Sequence, residues 1–496
     1  MKLTVIVGPI RLKITPTLPK EDFIYLRKKL TYRMKGYEYT RQHKEFGWDG
    51  KKRLLYRGQS APSGCIYRIQ QVLEKLGHQV NIIHENDYEP TGTADIFGAG
   101  LLKHEKLVLE KFQKTAIKRA LQCRRGVISA PVRAGKTAIA GALIKNVNHY
   151  PACLVTEGKD LVKQTRNDLA DHLRVPIGYF SEGKYEPADI LVTSYQAIRR
   201  VVPKVGVRLS EKIANRNAEI LKYLRATKVI IFDECHHALS PKNRKIFGEL
   251  VNAGYIIGLS GTPKSDNVHI LELEAAIGSI ILKVKYETLI KHKRLARPMI
   301  TMYQLPYRWF ASGLREYEDI YESNIVENIH RNMFIADIVK NLNKVNKTSF
   351  VMIRRRAHGP ILRALIPGSV YVHGNVESDL RAELYKSLQN KDIHCIIATV
   401  GKEGLNLPAL DAVINAEGYK SSVTTKQKMR SLTAAPGKEY GIVVDFMDKG
   451  KFLGKHSQRR LAIYKTLGDI KLRIKKVPKD IYPMEDSRWR PSNMTN

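Results

Sequence analysis

The sequence predicts an α/β chain: two successive domains built on parallel sheets, preceded by a small α+β domain. Three observations predict it. Short apolar, largely β-branched runs recur between helical stretches at Gly126–Ser129, Ala152–Thr156, Ile190–Thr193, Val229–Phe232 and Ile256–Ser260. The same rhythm returns at Met299–Tyr303, Ser349–Ile353, Ser369–Val372, Cys395–Thr399, Ala412–Ala416 and Ile442–Phe446. Continuous apolar runs, as opposed to alternating ones, mark strands covered on both faces, the condition of a parallel sheet flanked by helices. The first hundred residues break this rhythm, with two β-runs in direct succession, Lys2–Val7 and Ile10–Ile14.

The elements follow in order. Pro19 opens a helical stretch with Phe23, Leu26 and Leu30 on one face. Residues Phe46 to Leu55 form a turn cluster that mixes aromatic and basic groups. A second helix, Tyr67 to Leu76, stops at Gly77, and a strand, Gln79 to His84, completes the unit. Glu89 to Thr93 and the glycines up to Gly100 read as a linker. Residues 1–100 are thus expected to be an accessory domain. Its frequent Lys and Arg suit DNA, and Trp48 is equally readable as a DNA contact or as core. Residues 101–298 and 299–450 are the two α/β domains, with a basic helical stretch from Val205 to Lys228. Residues 451–496 are a basic tail with a helix through Arg459–Thr466 and a Pro-rich end from Pro478.

The chain has 496 residues, with 84 Lys and Arg against 48 Asp and Glu, a formal charge of +36. Such an excess points to a polyanionic partner. The five cysteines, Cys65, Cys123, Cys153, Cys235 and Cys395, are scattered and odd in number. They argue for a reducing compartment and against a zinc site or disulfide framework. No apolar run approaches membrane-spanning length and no signal peptide is evident, so no membrane role is expected.

Chemistry centres on Ala130-Pro131-Val132-Arg133-Ala134-Gly135-Lys136-Thr137, between a β-run and a small-residue helix. Strand, tight loop, helix is the setting of a phosphate-binding loop. Backbone N–H groups of the loop and the helix start would face anionic oxygens. Ala130, Arg133, Ala134 and Gly135 would line that loop. Lys136 would reach the β- and γ-phosphates, and Thr137 would hold Mg²⁺ through its hydroxyl. The first glycine of the usual pattern is Ala130 here.

About a hundred residues on, Asp233-Glu234-Cys235-His236 follows an apolar strand. Asp233 would serve the Mg²⁺, and Glu234 would orient or deprotonate the attacking water. Together the two segments predict an ATP·Mg²⁺ site. Ser260-Gly261-Thr262-Pro263, ending the next strand, offers hydroxyls from Ser260 and Thr262 that could couple this site to a ligand, with His236 alongside. In the second domain Thr399 ends a strand ahead of Gly404-Leu405-Asn406-Leu407-Pro408, and Gln427-Lys428-Met429-Arg430 begins a helix. A guanidinium from a second domain would stabilise transition-state charge at the phosphates.

In this order the segments resemble those of the superfamily 2 helicases, with a DExH-type box. The resemblance implies two tandem RecA-like domains. Phe112-Gln113 resembles the adenine-reading segment, Leu154 to Gln164 and Val192 to Gln196 resemble DNA-contacting segments, and Ser260 to Thr262 resembles the third motif. Phe46 to Leu55 narrows the likeness to the UvsW-type phage helicases, as do Ala357-His358-Gly359 and His373-Gly374 with Arg381. That family implies ATP-driven remodelling of forks, Holliday junctions, D-loops and R-loops in recombination, repair or replication restart. It implies a cytoplasmic setting in an infected bacterial host; a monomer is expected, and no protein partner can be named. By the same resemblance, Thr193, Gly374 and Thr399 would grip DNA phosphates. Arg354, Arg355 and Arg356 join them as a basic cluster at a strand's carboxyl end.

The family's sixth motif carries two arginines. Here Arg430 fits the first, and Thr433 stands in place of the second. Arg430 is therefore expected to act alone, or with Lys428 or Lys438 substituting. Two other readings stay open: a double-strand DNA translocase that does not separate strands, and a non-catalytic DNA-binding protein with a degenerate ATP site. An RNA helicase fits less well, because the DEAD-type pattern is absent.

Overall fold

The computed structural model describes residues 1–482 except 35, 87, 92–108, 132, 203–209, 241–242, 262–266, 375, 400–409, 420–437 and 467–469. The chain divides into two compact units, Met1–Val284 and Lys285–Asn496.

The first unit holds three sheets. Strands β1 (Lys2–Val7), β2 (Arg11–Thr15), β5 (Ser60–Pro62) and β6 (Gln79–His84) form a four-stranded sheet in the order β5-β2-β1-β6. Burial alternates along β1, so one face is covered. Helices Lys20–Lys29 and Ile66–Lys75 supply Leu26, Leu30, Ile69 and Leu73 to the core beneath. A separate two-stranded ribbon pairs β3 (Thr31–Arg33) with β4 (Lys51–Arg53), joined through the short helix Arg41–Phe46.

The large sheet contains β7 (Arg125–Ser129), β8 (Ala152–Thr156), β9 (Ile177–Ser181), β10 (Lys184–Glu186), β11 (Ile190–Ser194), β12 (Val229–Asp233), β13 (Tyr255–Ser260) and β14 (Ile280–Lys283). Its order is β10-β9-β11-β8-β12-β13-β7-β14, parallel throughout except β10. Strands β7, β8 and β11 are buried at every residue, as continuous apolar runs require. Helix Lys136–Val147 is buried at nine of its twelve residues. Gly141 lets helix Lys159–Leu173 approach through Leu169 and Leu173, and this packing fixes the loop before the helix.

The four-stranded sheet is docked on this lobe through helix Asn267–Ala276. Leu271 enters the N-terminal core, Tyr32 donates its hydroxyl proton to Glu272 at 3.0 Å, and Arg68 grips Glu274 with both Nε and Nη2. A Cβ on Gly64 would lie 1.9 Å from the Glu274 carbonyl oxygen, so only glycine permits this approach.

The second unit has a seven-stranded, all-parallel sheet of β15 (Arg297–Gln304), β16 (Ser349–Ile353), β17 (Val370–Val372), β18 (Cys395–Thr399), β19 (Ala412–Asn415), β20 (Tyr440–Met447) and β21 (Lys471–Lys476). The order is β17-β18-β16-β19-β20-β15-β21. The tail helix is longer than expected, Lys451–Lys465, and packs Leu461 and Tyr464 under this sheet. Two parallel-sheet lobes and an α+β accessory module are therefore the architecture. No helix among the described residues is long and apolar enough to cross a membrane.

Candidate active site and nucleic-acid-facing residues

The phosphate loop leaves the carboxyl end of β7. Ala130 is fully buried and its N–H donates to the Ser260 carbonyl at 3.0 Å, which ties the loop to β13. Gly135 has φ +72°, and a Cβ there would lie 2.4 Å from Gln113 Nε2. Both the left-handed turn and the approach of Gln113 demand glycine. Arg133 also holds a positive φ of 72°, and burial lowers the pKa of its guanidinium.

Gln113 is buried at the start of helix Lys111–Cys123. Its amide NH₂ donates to the Ala134 carbonyl at 2.8 Å, and its amide oxygen accepts from the Glu110 N–H at 2.8 Å. Glu110 and Gln113 form a reciprocal capping box. Gln113 thus braces the phosphate loop from behind, a role its resemblance to an adenine reader did not reveal. The Glu-x-x-Gln spacing ahead of a helical stretch was the available signal.

Lys136 opens the helix after the loop and points to the end of β12. Its ammonium lies 2.6 Å from Glu234 Oε1 and 3.3 Å from Asp233 Oδ1. Glu234 sits in a left-handed turn, φ 43°, which swings its carboxylate back toward the loop. Its other oxygen, Oε2, accepts from Ser260 Oγ at 3.3 Å and lies 3.5 Å from His236 Nδ1. His236 Nδ1 is 3.2 Å from the same hydroxyl. Lys136, Asp233, Glu234, Ser260 and His236 therefore meet in one polar chain. Thr137 stands half-buried beside Lys136 at the helix start. Of the predicted ATP residues of the first unit, Lys136, Asp233 and Glu234 come together.

The donor set fits a nucleotide with Mg²⁺. A hydroxyl at Thr137 and a carboxylate at Asp233 are the hard oxygen donors that Mg²⁺ takes. The N–H groups at the start of a twelve-residue helix suit phosphate oxygens.

Tyr195, quoted in the sequence only within a DNA-contacting segment, instead supports this site. Its buried ring stacks on Phe232 at 6.0 Å, and its hydroxyl donates to the Asp233 carbonyl at 3.1 Å. Thr193 is a correction. It is fully buried and its hydroxyl donates to the Phe180 carbonyl at 2.9 Å, so its side chain braces β9 and β11 and does not face DNA.

Trp48, readable from sequence either way, has a packing role here. Its indole is half-buried, its N–H donates to the Lys51 carbonyl at 3.3 Å, and its ring meets Tyr37 edge-on at 6.5 Å. It packs the ribbon module; Tyr39 and Phe46 are the exposed rings there, 83% and 78%.

In the second unit Arg354, Arg355 and Arg356 are exposed just past β16. Arg354 lies 3.8 Å over the Tyr419 ring, and Arg355 pairs with Glu318. Gly374, also exposed, adjoins Arg356, whose Nη2 lies 3.5 Å from where a Gly374 Cβ would stand. Thr399 is half-buried at the end of β18. Lys438 turns inward and donates to the Leu410 carbonyl, with burial holding its pKa at about 8. Thr262, Gly404, Gln427 and Arg430, with Lys428 and Thr433, lie outside the described residues.

Sequence reasoning missed a buried ionic network in the second unit. Arg460 Nε meets Asp445 Oδ2 at 3.0 Å, its Nη2 lies 3.5 Å from Asp448 Oδ2, and Arg331 Nε meets Asp448 Oδ1 at 2.9 Å. Tyr464 donates its hydroxyl proton to Asp445 at 2.8 Å. Burial opposes the Arg460 charge, but the two carboxylates outweigh it and hold the guanidinium above its ordinary range.

Comparison with known proteins agrees with this geometry. Residues 106–265 match the family described as type III restriction enzyme, res subunit. The ATP-dependent DNA helicase uvsW of Enterobacteria phage T4 is 24% identical over 457 residues, covering 86% of this chain and 87% of that protein. The DNA 3'-5' translocase XPB2 of Sulfurisphaera tokodaii is 21% identical over 397 residues, covering 72% of this chain and 85% of that one. Among solved structures, the DNA-bound ATP-dependent type ISP restriction-modification enzyme LlaBIII shares the fold. Its TM-score is 0.55 at 15% identity, over 84% of this chain and 36% of that one. Residues 106–265 thus carry a domain of that helicase-containing family, and the chain is similar over most of its length to the ATP-hydrolysing superfamily 2 DNA helicases of the UvsW type.

Proposed function

We propose that this helicase unwinds or branch-migrates branched DNA (forks, Holliday junctions, D-loops and R-loops) in recombination, repair or replication restart. The observation that carries its ATP-driven part is the polar chain from Lys136 through Glu234 to Ser260 and His236, and the branched-DNA part rests on the likeness to the phage helicase. Lys136 is held by the two carboxylates that the chemistry needs. Triphosphate oxygens compete for the same ammonium, so nucleotide draws Lys136 from Glu234. Oε1 is then free to accept a proton from the attacking water. Oε2 stays in contact with Ser260 and His236, so the change of partner is felt beyond the phosphate site. Thr137 and Asp233 would hold Mg²⁺, which would supply charge neutralisation at the phosphates. From sequence, we assign Arg430 to transition-state charge, Gly404 to nucleotide binding and Gln427 to coupling.

The likeness to the phage helicase extends over 86% of the chain and supports DNA, with residues 1–100 as an accessory DNA-binding domain. The net charge of +36 supports a polyanionic partner without sequence choice. We place the activity in the cytoplasm of an infected bacterial host, on the phage likeness. The test is a panel of 3′-tailed, 5′-tailed, forked and four-way DNA with ATP and Mg²⁺. Forked and four-way substrates are expected to be processed fastest. Lys136→Ala is expected to lower DNA-stimulated ATP hydrolysis by ~10²–10³-fold and to stop processing. Unwinding of tailed duplexes alone would overturn the branched-DNA reading. A second reading is favoured by the relative named a translocase. Triplex displacement from plain duplex, with no strand separation on forks, would select it.

A further inference from the structure

We propose that the ribbon module of β3, β4 and helix Arg41–Phe46 is a stacking platform for unpaired nucleobases of the DNA substrate. It rests on the reading of the chain as a DNA helicase and specifies what the N-terminal domain contacts. Tyr39 and Phe46 are the two most exposed large hydrophobic side chains among the described residues, at 83% and 78%. One exposed ring needs no explanation. Two on consecutive elements of one small cationic module do. They bracket a six-residue helix, about 9 Å of axis. Residues 31–53 carry Arg33, Lys35, Arg41, Lys44, Lys51, Lys52 and Arg53 against Glu38, Glu45 and Asp49.

The rings are presented by a packed scaffold. The Thr40 side chain caps the helix by accepting from the His43 N–H at 3.3 Å. His43 meets the Tyr37 ring edge-on at 5.1 Å, and its Nδ1 lies 2.9 Å from the Trp48 carbonyl oxygen. Trp48 also meets Tyr37 edge-on, at 6.5 Å. Asp49 accepts from the Lys51 N–H at 2.9 Å and from Arg53 at 2.6 Å, which fixes the turn into β4. The half-buried rings thus hold the fold of the module, and the exposed rings are left for a ligand. A module fixed in this way loses little freedom on binding.

The chemistry favours unpaired bases. Every base has a π face, so stacking on a ring tolerates any sequence. Inside duplex DNA both faces are already stacked, whereas a branch point exposes them. Exposed Arg41 and Lys44 beside the rings suit the phosphates that accompany such bases, although Glu45 takes part of the Arg41 charge at 2.6 Å. A protein partner would call for a continuous apolar surface, and these rings are separated by Arg41, Gln42 and Lys44.

The test uses the full chain without nucleotide and a forked duplex carrying 2-aminopurine at the first unpaired position. Wild type is expected to quench the probe on binding. Tyr39→Ala with Phe46→Ala is expected to abolish the quench and weaken fork binding roughly ten- to hundredfold. Blunt-duplex binding should hold within about twofold. Phe46→Trp is expected to retain the quench. Equal losses on fork and blunt duplex would overturn the proposal, because the surface would then act by charge. So would an unchanged quench in the double variant, or a changed oligomeric state with fork binding intact, which would mark a contact between copies. Failure of the helicase reading looks different: wild type itself would bind no DNA.

Discussion

The two parallel sheets place opposite charges near strand ends, and they use them in contrary ways. At the end of β12, Lys136, Glu234 and Asp233 are 15%, 13% and 26% exposed. At the end of β20, Arg460, Asp445, Asp448 and Arg331 are all at 0%. The chemistry is the same, guanidinium or ammonium against carboxylate, but accessibility separates a site from a fastener. A pair that solvent can reach can exchange partners with a ligand. A sealed pair cannot, and its cost of desolvation is offset only by saturation of its hydrogen bonds. Arg460 meets that demand with the Asp445 carboxylate, the carbonyls of Phe446 and Tyr419 and the Ser457 hydroxyl, while Asp448 adds charge at 3.5 Å.

The contrast predicts that a charge change at the first sheet costs rate and leaves the fold, while one at the second costs the fold. The largest effect is expected from Glu234→Gln, a loss of ~10²–10⁴-fold in DNA-stimulated ATP hydrolysis. A fluorescent nucleotide should still bind, and the melting temperature should stay near wild type. A large drop in melting temperature would break the contrast at its first half. Next, Asp445→Asn leaves Arg460 short of one charge in a sealed site and should cost about 3–5 kcal/mol. Urea titration of the intact chain, followed at Trp309, which lies in the core of the second unit, measures it. An unchanged midpoint would show that the buried network is not a fastener.

The smallest effect sharpens the second half by pH. Burial, with a lesser push from Arg331, holds buried His358 at about 3, well below its ordinary value of 6.5. The unfolded chain therefore takes up this proton first as pH falls. Stability from a neutral His358 is full above about 6.5 and is lost between about 6.5 and 3, at up to ~1.4 kcal/mol per pH unit. His358→Gln should flatten that part of the urea-midpoint profile between pH 7 and 4. Identical profiles would mean that His358 is not sealed.

The parts legible in the sequence are those whose signal is local. Ala152–Thr156, Ser349–Ile353 and Cys395–Thr399 are strands with the expected ends, because a sealed parallel strand is apolar along its whole length. Edge strands carry no such signal: β21 reads Lys-Leu-Arg-Ile-Lys-Lys and β10 is three residues long, and neither was anticipated. At the site, Lys136, Asp233 and Glu234 were legible because phosphate and Mg²⁺ chemistry dictates residue type and spacing. Thr193 was misread, and Trp48 stayed open, because a hydroxyl or an indole serves packing and binding equally well and only burial tells the two apart. Arg460 with Asp445 was invisible, since fifteen residues separate partners that meet only through the fold.

The dock between helix Asn267–Ala276 and the N-terminal module has a further consequence. That helix begins seven residues after Ser260, which touches Glu234, and its far end abuts Gly64 so closely that no side chain could intervene. The accessory module is therefore no tethered hand that searches for substrate. It is a fixed tool head carried by the ATP-binding lobe. The span from the phosphate loop to the ribbon module is set by packing, so the enzyme carries a gauge: whatever the ribbon holds lies at one fixed distance from the ATP-binding loop.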